Sequence, residues 1–159
     1  MRIVVDDLRG PQIAAFLEAH LEQMRATSPP ESKHALDLDG LRRPEVVFWT
    51  LLDGDEVVGC AALKALDATH AEVKSMRTHP DRRRQGLGAL LLRHVVEQAR
   101  SRGFTRLSLE TGSMPFFAPA RALYAAHGFV PCPPFADYVP DPNSVCMTTV
   151  LEQPAPGQG

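Results

Sequence analysis

Residues 74–89 read Lys74-Ser75-Met76-Arg77-Thr78-His79-Pro80-Asp81-Arg82-Arg83-Arg84-Gln85-Gly86-Leu87-Gly88-Ala89. The stretch opens in strand-type residues, turns through a proline and three arginines, and enters helical apolar spacing at Leu87. The first N–H groups of a helix lack intrahelical acceptors, and the aligned peptide dipoles add partial positive charge there. A strand, a basic turn and a helix start in this order can hold a pyrophosphate if the backbone can be approached closely. Gly86 and Gly88 lack the Cβ atoms that would block that approach. Arg82, Arg83 and Arg84 supply counter-charge for a polyanionic ligand.

Other readings of the loop are weaker. A dinucleotide fingerprint needs G-x-G-x-x-G after the first strand, but Leu91 holds the third glycine position and several strands precede the loop. A Walker-type loop needs a Lys-Ser/Thr pair after its last glycine, and none follows Gly88. The plain alternative is a solvated arginine turn that the glycines merely permit.

Outward from this loop the patterning is that of an α/β chain. Arg2 to Val5 reads as a strand, and Ile13, Phe16, Leu17, Leu21 and Met24 fall on one face of a helix beginning after Gly10-Pro11. Ser28-Pro29-Pro30-Glu31 has capping-box spacing for a second helix carrying Ser32 and His34. Val46–Leu52 and Val57–Leu63, split by Asp53-Gly54, predict a hairpin. His70 to Thr78 predicts a further strand, with Glu72, Lys74, Met76 and Thr78 on one face. Leu87, Leu90, Leu91, Val95 and Ala99 follow helical spacing up to a Gly103 cap. Leu107 to Thr111 reads as a strand, Pro119 to His127 as a short helix stopped by Gly128, and Phe129–Cys132 and Ser144–Leu151 as final strands. Prolines from Pro131 to Pro142 stiffen the connection between the last two strands. The expected order is β-α-α-β-β-β-α-β-α-β-β in one domain over residues 1–151, with 152–159 a loose tail.

Composition narrows the function classes. The 159 residues carry 17 Lys and Arg against 19 Asp and Glu, 17 − 19 = −2, which argues against generic nucleic-acid binding. No apolar run is long enough to span a bilayer. The start Met1-Arg2-Ile3-Val4-Val5-Asp6-Asp7 places acids where a signal peptide would continue in apolar residues. Cys60, Cys132 and Cys146 form no C-x-x-C pair and no histidines sit at metal-ligand spacing, so neither a disulfide framework nor a metal site is expected, and a cytoplasmic location is. The cysteines read as inert packing residues.

Arg83, Gly86 and Gly88 form an R-x-x-G-x-G/A pattern after a strand ending in Met76 to Thr78. Ala120-Arg121-Ala122-Leu123-Tyr124-Ala125-Ala126-His127-Gly128-Phe129 forms a second pattern, A-x-x-L-Y-x-x-x-G-F. Together, in this order and separation, they resemble the GNAT superfamily of acetyl-CoA-dependent N-acetyltransferases over about residues 1–151. Ser28–Ser32, Ser108–Ser113 and Asp141–Val145 are similar to the YsnE-like branch of its bacterial members. The resemblance implies a mixed, mostly antiparallel sheet flanked by helices and splayed between its fourth and fifth strands, where the pantetheine arm of acetyl-CoA enters. It places that co-substrate against Met76, Arg77, Thr78, Arg83, Arg84, Gln85, Gly86, Leu87, Gly88 and Ala89, with Thr111, Phe117 and Tyr124 further along. Many family members have Asn where this chain has Phe117, so one polar contact is missing or is supplied by Thr111 or Ser113.

Transfer of an acetyl group to an amine needs a base, a partner for the developing oxyanion and an acid for the leaving thiolate. An alkyl ammonium has a pKa of about 10.4, so a proton must be removed before attack. Glu72 is the first candidate base and Glu110 the reserve; the alternative for Glu72 is an ordinary strand carboxylate. By resemblance, the Met76 backbone N–H serves the thioester oxygen and Tyr124 serves the sulfur, although Tyr124 also suits an amphipathic core position. Ser32, His34, Arg77, Glu110, Tyr138 and Asn143 flank the acceptor side and suit a small amine bearing a carboxylate, such as an amino acid. Asp141-Pro142-Asn143 can equally be only a turn. A non-catalytic acyl-CoA sensor and a protein lysine or N-terminal acetyltransferase are the rival functions. The last strand could pair two copies into a homodimer.

Overall fold

The computed structural model describes residues 1–27, 38–82 and 85–152. Its elements are β1 (Arg2–Val5), α1 (Pro11–Thr27), α2 (Leu38–Leu41), β2 (Val46–Asp53), β3 (Glu56–Ala65), β4 (His70–Thr78), α3 (Leu87–Ser101), β5 (Arg106–Gly112), α4 (Ala118–Ala126), β6 (Val130–Cys132) and β7 (Ser144–Val150). Single 3₁₀ turns at Pro80–Arg82 and Pro115–Phe117 precede α3 and α4. The capping-box helix expected from Ser28, with Ser32 and His34, lies outside the described residues, as do Arg83, Arg84 and the tail from residue 153.

The strands form one sheet in the order β1-β2-β3-β4-β5-β7-β6. Each neighbouring pair is antiparallel except β4 and β5, which are parallel and joined through α3. On one face, Leu87, Leu91, Leu92, Val95 and Ala99 of α3 are buried against Trp49, Leu51, Leu63, Val73, Leu107 and Leu109. Each leucine so buried contributes about 2 kcal/mol from apolar area alone. On the other face, Ile13 and Leu17 of α1 close over Phe48, Cys60 and Ala62, with Phe16 at the margin. The side chains of Leu21 and Met24, expected on the same stripe, are not among those described.

The stops of α3 and α4 are Schellman motifs. After α3, Gly103 at φ 90° donates to the Arg100 carbonyl at 3.1 Å and Phe104 donates to Ala99 at 3.1 Å. After α4, Gly128 at φ 90° donates to Ala125 at 3.1 Å and Phe129 to Tyr124 at 3.1 Å. The Phe129 ring stands edge-on to Tyr124 at 5.9 Å, the apolar contact that such caps carry.

Two irregularities in β4 shape the site. Its pairing with β5 covers only His70↔Arg106, Ala71↔Leu107 and Glu72↔Ser108, although both strands run on. The sheet therefore parts beyond Glu72, the expected splay. Against β3, the register slips between Ala62↔Lys74 and Cys60↔Arg77, and Ser75 takes φ 52°. This bulge corrects the simple alternation over His70–Thr78. Lys74 and Arg77 lie opposite Ala62 and Cys60, on the α1 face, whereas Met76 packs into the α3 core. Glu72 and Met76 do not share a face.

The last strand, read as able to pair two copies, is not the edge of the sheet. Strand β7 lies between β5 and β6, and β6 covers it at Cys146, Met147 and Thr148. No described helix is long and apolar enough to cross a membrane.

Candidate active site

Glu72 ends the paired part of β4, and its carboxylate is almost entirely buried at 2% exposure. Burial of a carboxylate demands partners. The Tyr138 phenol donates to Glu72 Oε2 at 2.6 Å, and Lys74 Nζ stands 3.7 Å from the same oxygen. Lys74 also lies 5.9 Å from the centre of the Tyr138 ring. Burial, then the Glu72 carboxylate, pushes the Tyr138 phenol well above its ordinary value, so it stays a donor. The stiff β6–β7 connection thus brings Tyr138 onto Glu72, where the sheet opens.

Beside Glu72, Ser108 of β5 is buried at 1% exposure within a polar chain. His70 Nε2 and Ser108 Oγ are 2.7 Å apart, Ser108 Oγ and Thr148 Oγ1 are 2.8 Å apart, and Arg106 Nη1 donates to Thr148 at 3.1 Å. Glu110 stands two residues beyond Ser108, on the same face, opposite Cys146. Burial lowers the affinity of the Arg77 guanidinium for its proton, while Tyr124, Cys60 and Glu110 nearby oppose that shift. Arg77 and Glu110 therefore lie in the same neighbourhood at the opening.

Tyr124 is buried at 7% exposure in α4. Burial pushes its phenol upward, Arg77 pulls it back and Glu110 adds to the rise. It remains a proton donor across the neutral range. The helix is fixed by Arg121, whose Nη1 donates to the Gly112 carbonyl at 2.6 Å and to Met114 at 3.0 Å. Arg121 went unnoticed in the sequence because a surface-facing arginine on a short helix carries no signal of its partners.

Phe117 packs its ring against the end of β5, where a Cβ on Gly112 would come within 2.2 Å of it. The residue that departs from the family asparagine is a packed wedge between β5 and α4. Thr111 is half-buried with its side chain directed away from Glu110. Asn143 closes an Asx turn, its N–H on Asp141 Oδ1 at 2.8 Å, while its carbonyl accepts Ser113 N–H at 3.1 Å. The Asp141–Asn143 segment is a turn, and it also ties the loop to the end of β5.

The loop before α3 is only partly as expected. Gly86 sits at φ 75°, ψ 14° as the helix N-cap, and among the described residues nothing lies within 4 Å of where its Cβ would be. That open space beside the helix start fits a phosphate. Leu90 is the first residue whose N–H closes onto Gly86, at 3.0 Å, so the N–H groups of Leu87, Gly88 and Ala89 precede the helical ladder. Leu87 puts its own side chain in the core. Gly88 corrects the expectation of open approach, since its Cβ would stand 3.0 Å from Leu123 of α4; this glycine lets the two helices meet. Arg82 is a second correction: it binds Asp53 at 2.8 Å and Glu56 at 3.0 Å across the β2–β3 turn. Gln85 is exposed beside Gly86. Thr78 lines a cavity of about 520 Å³ with Phe16, Val57 and His79 on the α1 side, away from Glu72. Among the described residues, no three His, Cys, Asp or Glu side chains gather as a metal site.

A sheet parted beside a buried carboxylate, an open helix start and an interior phenol define an acyl-group transferase of the acyl-CoA type. The chain belongs to the acetyltransferase (GNAT) family, whose sequence pattern matches residues 13–129. It is 54% identical over 151 residues to the uncharacterized N-acetyltransferase YsnE of Bacillus subtilis, covering 95% of this chain and 100% of the relative. It is 46% identical to the uncharacterized N-acetyltransferase YedL of Escherichia coli, covering 94% of each. A Klebsiella pneumoniae structure described as an acyl-CoA N-acyltransferase superposes with a TM-score of 0.76 at 30% identity, covering 95% of this chain and 97% of that one.

Proposed function

We propose that this chain transfers the acetyl group of acetyl-CoA to the primary amine of a small molecule, an amino acid or a close analogue, by direct attack in a ternary complex. The observation that carries this reading is the buried Glu72 carboxylate at the last paired residue before β4 and β5 part.

Acetyl-CoA supplies the acetyl group as a thioester, activated for attack by an amine. The N–H groups at the start of α3 and the space beside Gly86 suit its pyrophosphate, with Arg83 and Arg84 as counter-charges. The β4 edge beyond Glu72 has no β5 partner, which suits the extended pantetheine arm and leaves the Met76 backbone N–H to donate to the thioester oxygen. Glu72 takes a proton from the incoming ammonium, directly or through water, and Tyr138 holds the carboxylate in place. The amine nitrogen forms its bond to the carbonyl carbon, the C–S bond breaks, Tyr124 gives its proton to the departing sulfur, and the second proton leaving the nitrogen passes through water to restore the phenol. Arg77 pairs with the carboxylate of the acceptor, and Glu110 with its charged amine. We further propose a cytoplasmic location, which three unpaired thiols support.

The test is release of free CoA thiol from acetyl-CoA across amino acids, polyamines, aminoglycosides and lysine peptides, with a control lacking acceptor. Turnover confined to amino acids is the expected result. Turnover only with lysine peptides would replace the small-molecule acceptor, and acetyl-CoA binding without any turnover would favour a sensor.

A further inference from the structure

We propose that Cys132 and Cys146 form a reversible disulfide that fastens the base of the loop carrying Tyr138. The two cysteines flank one loop, and the antiparallel β6–β7 register sets them directly opposite one another. Opposed residues in such a ladder share a face, with Cα atoms about 4.5 or about 5.5 Å apart. Both separations lie within the range of about 4.4–6.8 Å that a disulfide spans without backbone movement.

Access is a second and independent observation. Both cysteines line a cavity of about 490 Å³ beneath the loop, together with Pro134, Val139 and Pro140. It has room for a small disulfide. Cys132 is half-exposed and Cys146 is buried at 8% exposure, which sets the order of attack. The Cys132 thiolate attacks one sulfur of a low-molecular-weight disulfide, whose S–S bond breaks and releases one small thiolate, which takes up a proton. The Cys146 thiol then loses its proton and attacks the Cys132 sulfur of the mixed disulfide, releasing the second small thiol. Two protein thiols and one small disulfide become one protein disulfide and two small thiols, and two electrons pass to the small molecule.

The bond reaches the site through neighbouring residues. Cys146 faces Glu110 across the β5–β7 ladder, and the loop that begins at Cys132 carries the phenol seated on Glu72. Fastening both ends of that loop restricts the excursion of Tyr138 that an incoming amine requires. This consequence rests on the proposed acceptor side, whereas the disulfide itself does not.

The test incubates the reduced full chain with oxidised glutathione and follows intact mass and peptide maps. The expected product has lost two hydrogens, joins the Cys132 and Cys146 peptides, and reverts with dithiothreitol. In C146S, glutathione remains on Cys132. Cys60, fully buried in β3, is the internal control and stays a thiol. Retention of glutathione on Cys132 in the parent chain, a crosslink through Cys60, or no reaction would each overturn the proposal. With an accepted amine, oxidation is expected to raise its KM several-fold with unchanged acetyl-CoA affinity, and C132S is expected to ignore the oxidant. An unmoved KM in the crosslinked protein would overturn the control of the loop, and absence of turnover in the reduced protein would count against the acetyl-transfer reading while the mass result still decides the disulfide.

Discussion

The phenol of Tyr138 donates to the Glu72 carboxylate at 2.6 Å across 66 positions of sequence, the one side chain from a loop and the other from the seam where the sheet opens. The contact gives a buried carboxylate a neutral donor that stays protonated. Both the phenol and the Lys74 ammonium are directed at the same oxygen, Oε2.

E72Q keeps the shape and the phenol contact but removes the proposed base. Turnover is expected to fall by about 10²-fold or more, the usual scale for general base catalysis, with acetyl-CoA affinity unchanged in calorimetry. Y138F is expected to act differently, raising the KM for the amine more than it lowers kcat. Equal rates for E72Q and the parent would remove Glu72 from the mechanism.

Tyr124 combines a cap and a chemical group. Its backbone carbonyl and ring hold Phe129, and Y124F retains both, so the thermal midpoint should move little. Its kcat should drop by about 10²-fold through loss of the proton for the sulfur. A parent-like rate with a lowered midpoint would make Tyr124 a packing residue only.

Gly86 and Gly88 should separate under the same substitution. G86A meets no atom of the described residues but is held at positive φ, costing about 1 kcal/mol, and its methyl enters the proposed phosphate space, so acetyl-CoA affinity is expected to fall. G88A presses on Leu123, so denaturant unfolding should register it more than binding does. Matching affinity losses for both would place the phosphate elsewhere.

Cys60 gives an alkaline prediction with a defined sign. Burial pushes its thiol from 9.0 up to about 12 in the folded chain, so between these values the unfolded chain sheds a proton that the folded chain keeps. Stability is whole below pH 9.0 and declines toward pH 12, with this group adding at most about 1.4 kcal/mol per pH unit. C60A is expected to unfold with a shallower alkaline slope, read from urea midpoints over that window. An unchanged slope would mean the thiol is not held neutral.

Much of the fold was legible because period and punctuation agreed. The α3 stripe from Leu87 to Ala99 and the stops at Gly103 and Gly128 depend on nearest neighbours along the chain, and each expected strand forms within a residue or two of its reading. What failed was long-range. Nothing in Gly88 says that Leu123 will face it, and nothing in Arg82 says that Asp53 and Glu56 will claim it. Lys74 could have been found, since strand alternation puts it beside Glu72. The opposition of Cys132 and Cys146 could not, because it depends on the register of a three-residue edge strand.

The positive φ of Ser75 makes β4 two strands with different obligations. Before it, odd positions such as Val73 belong to the α3 core and even ones to the site; after it, Met76 joins the core and Arg77 the site. Straightening the bulge with Ser75 kept would therefore exchange the guanidinium for a thioether, whereas deleting Ser75 would restore plain alternation and leave Arg77 on the site face. The parity of the strand, more than the identity of any residue in it, decides which chemistry this opening can offer.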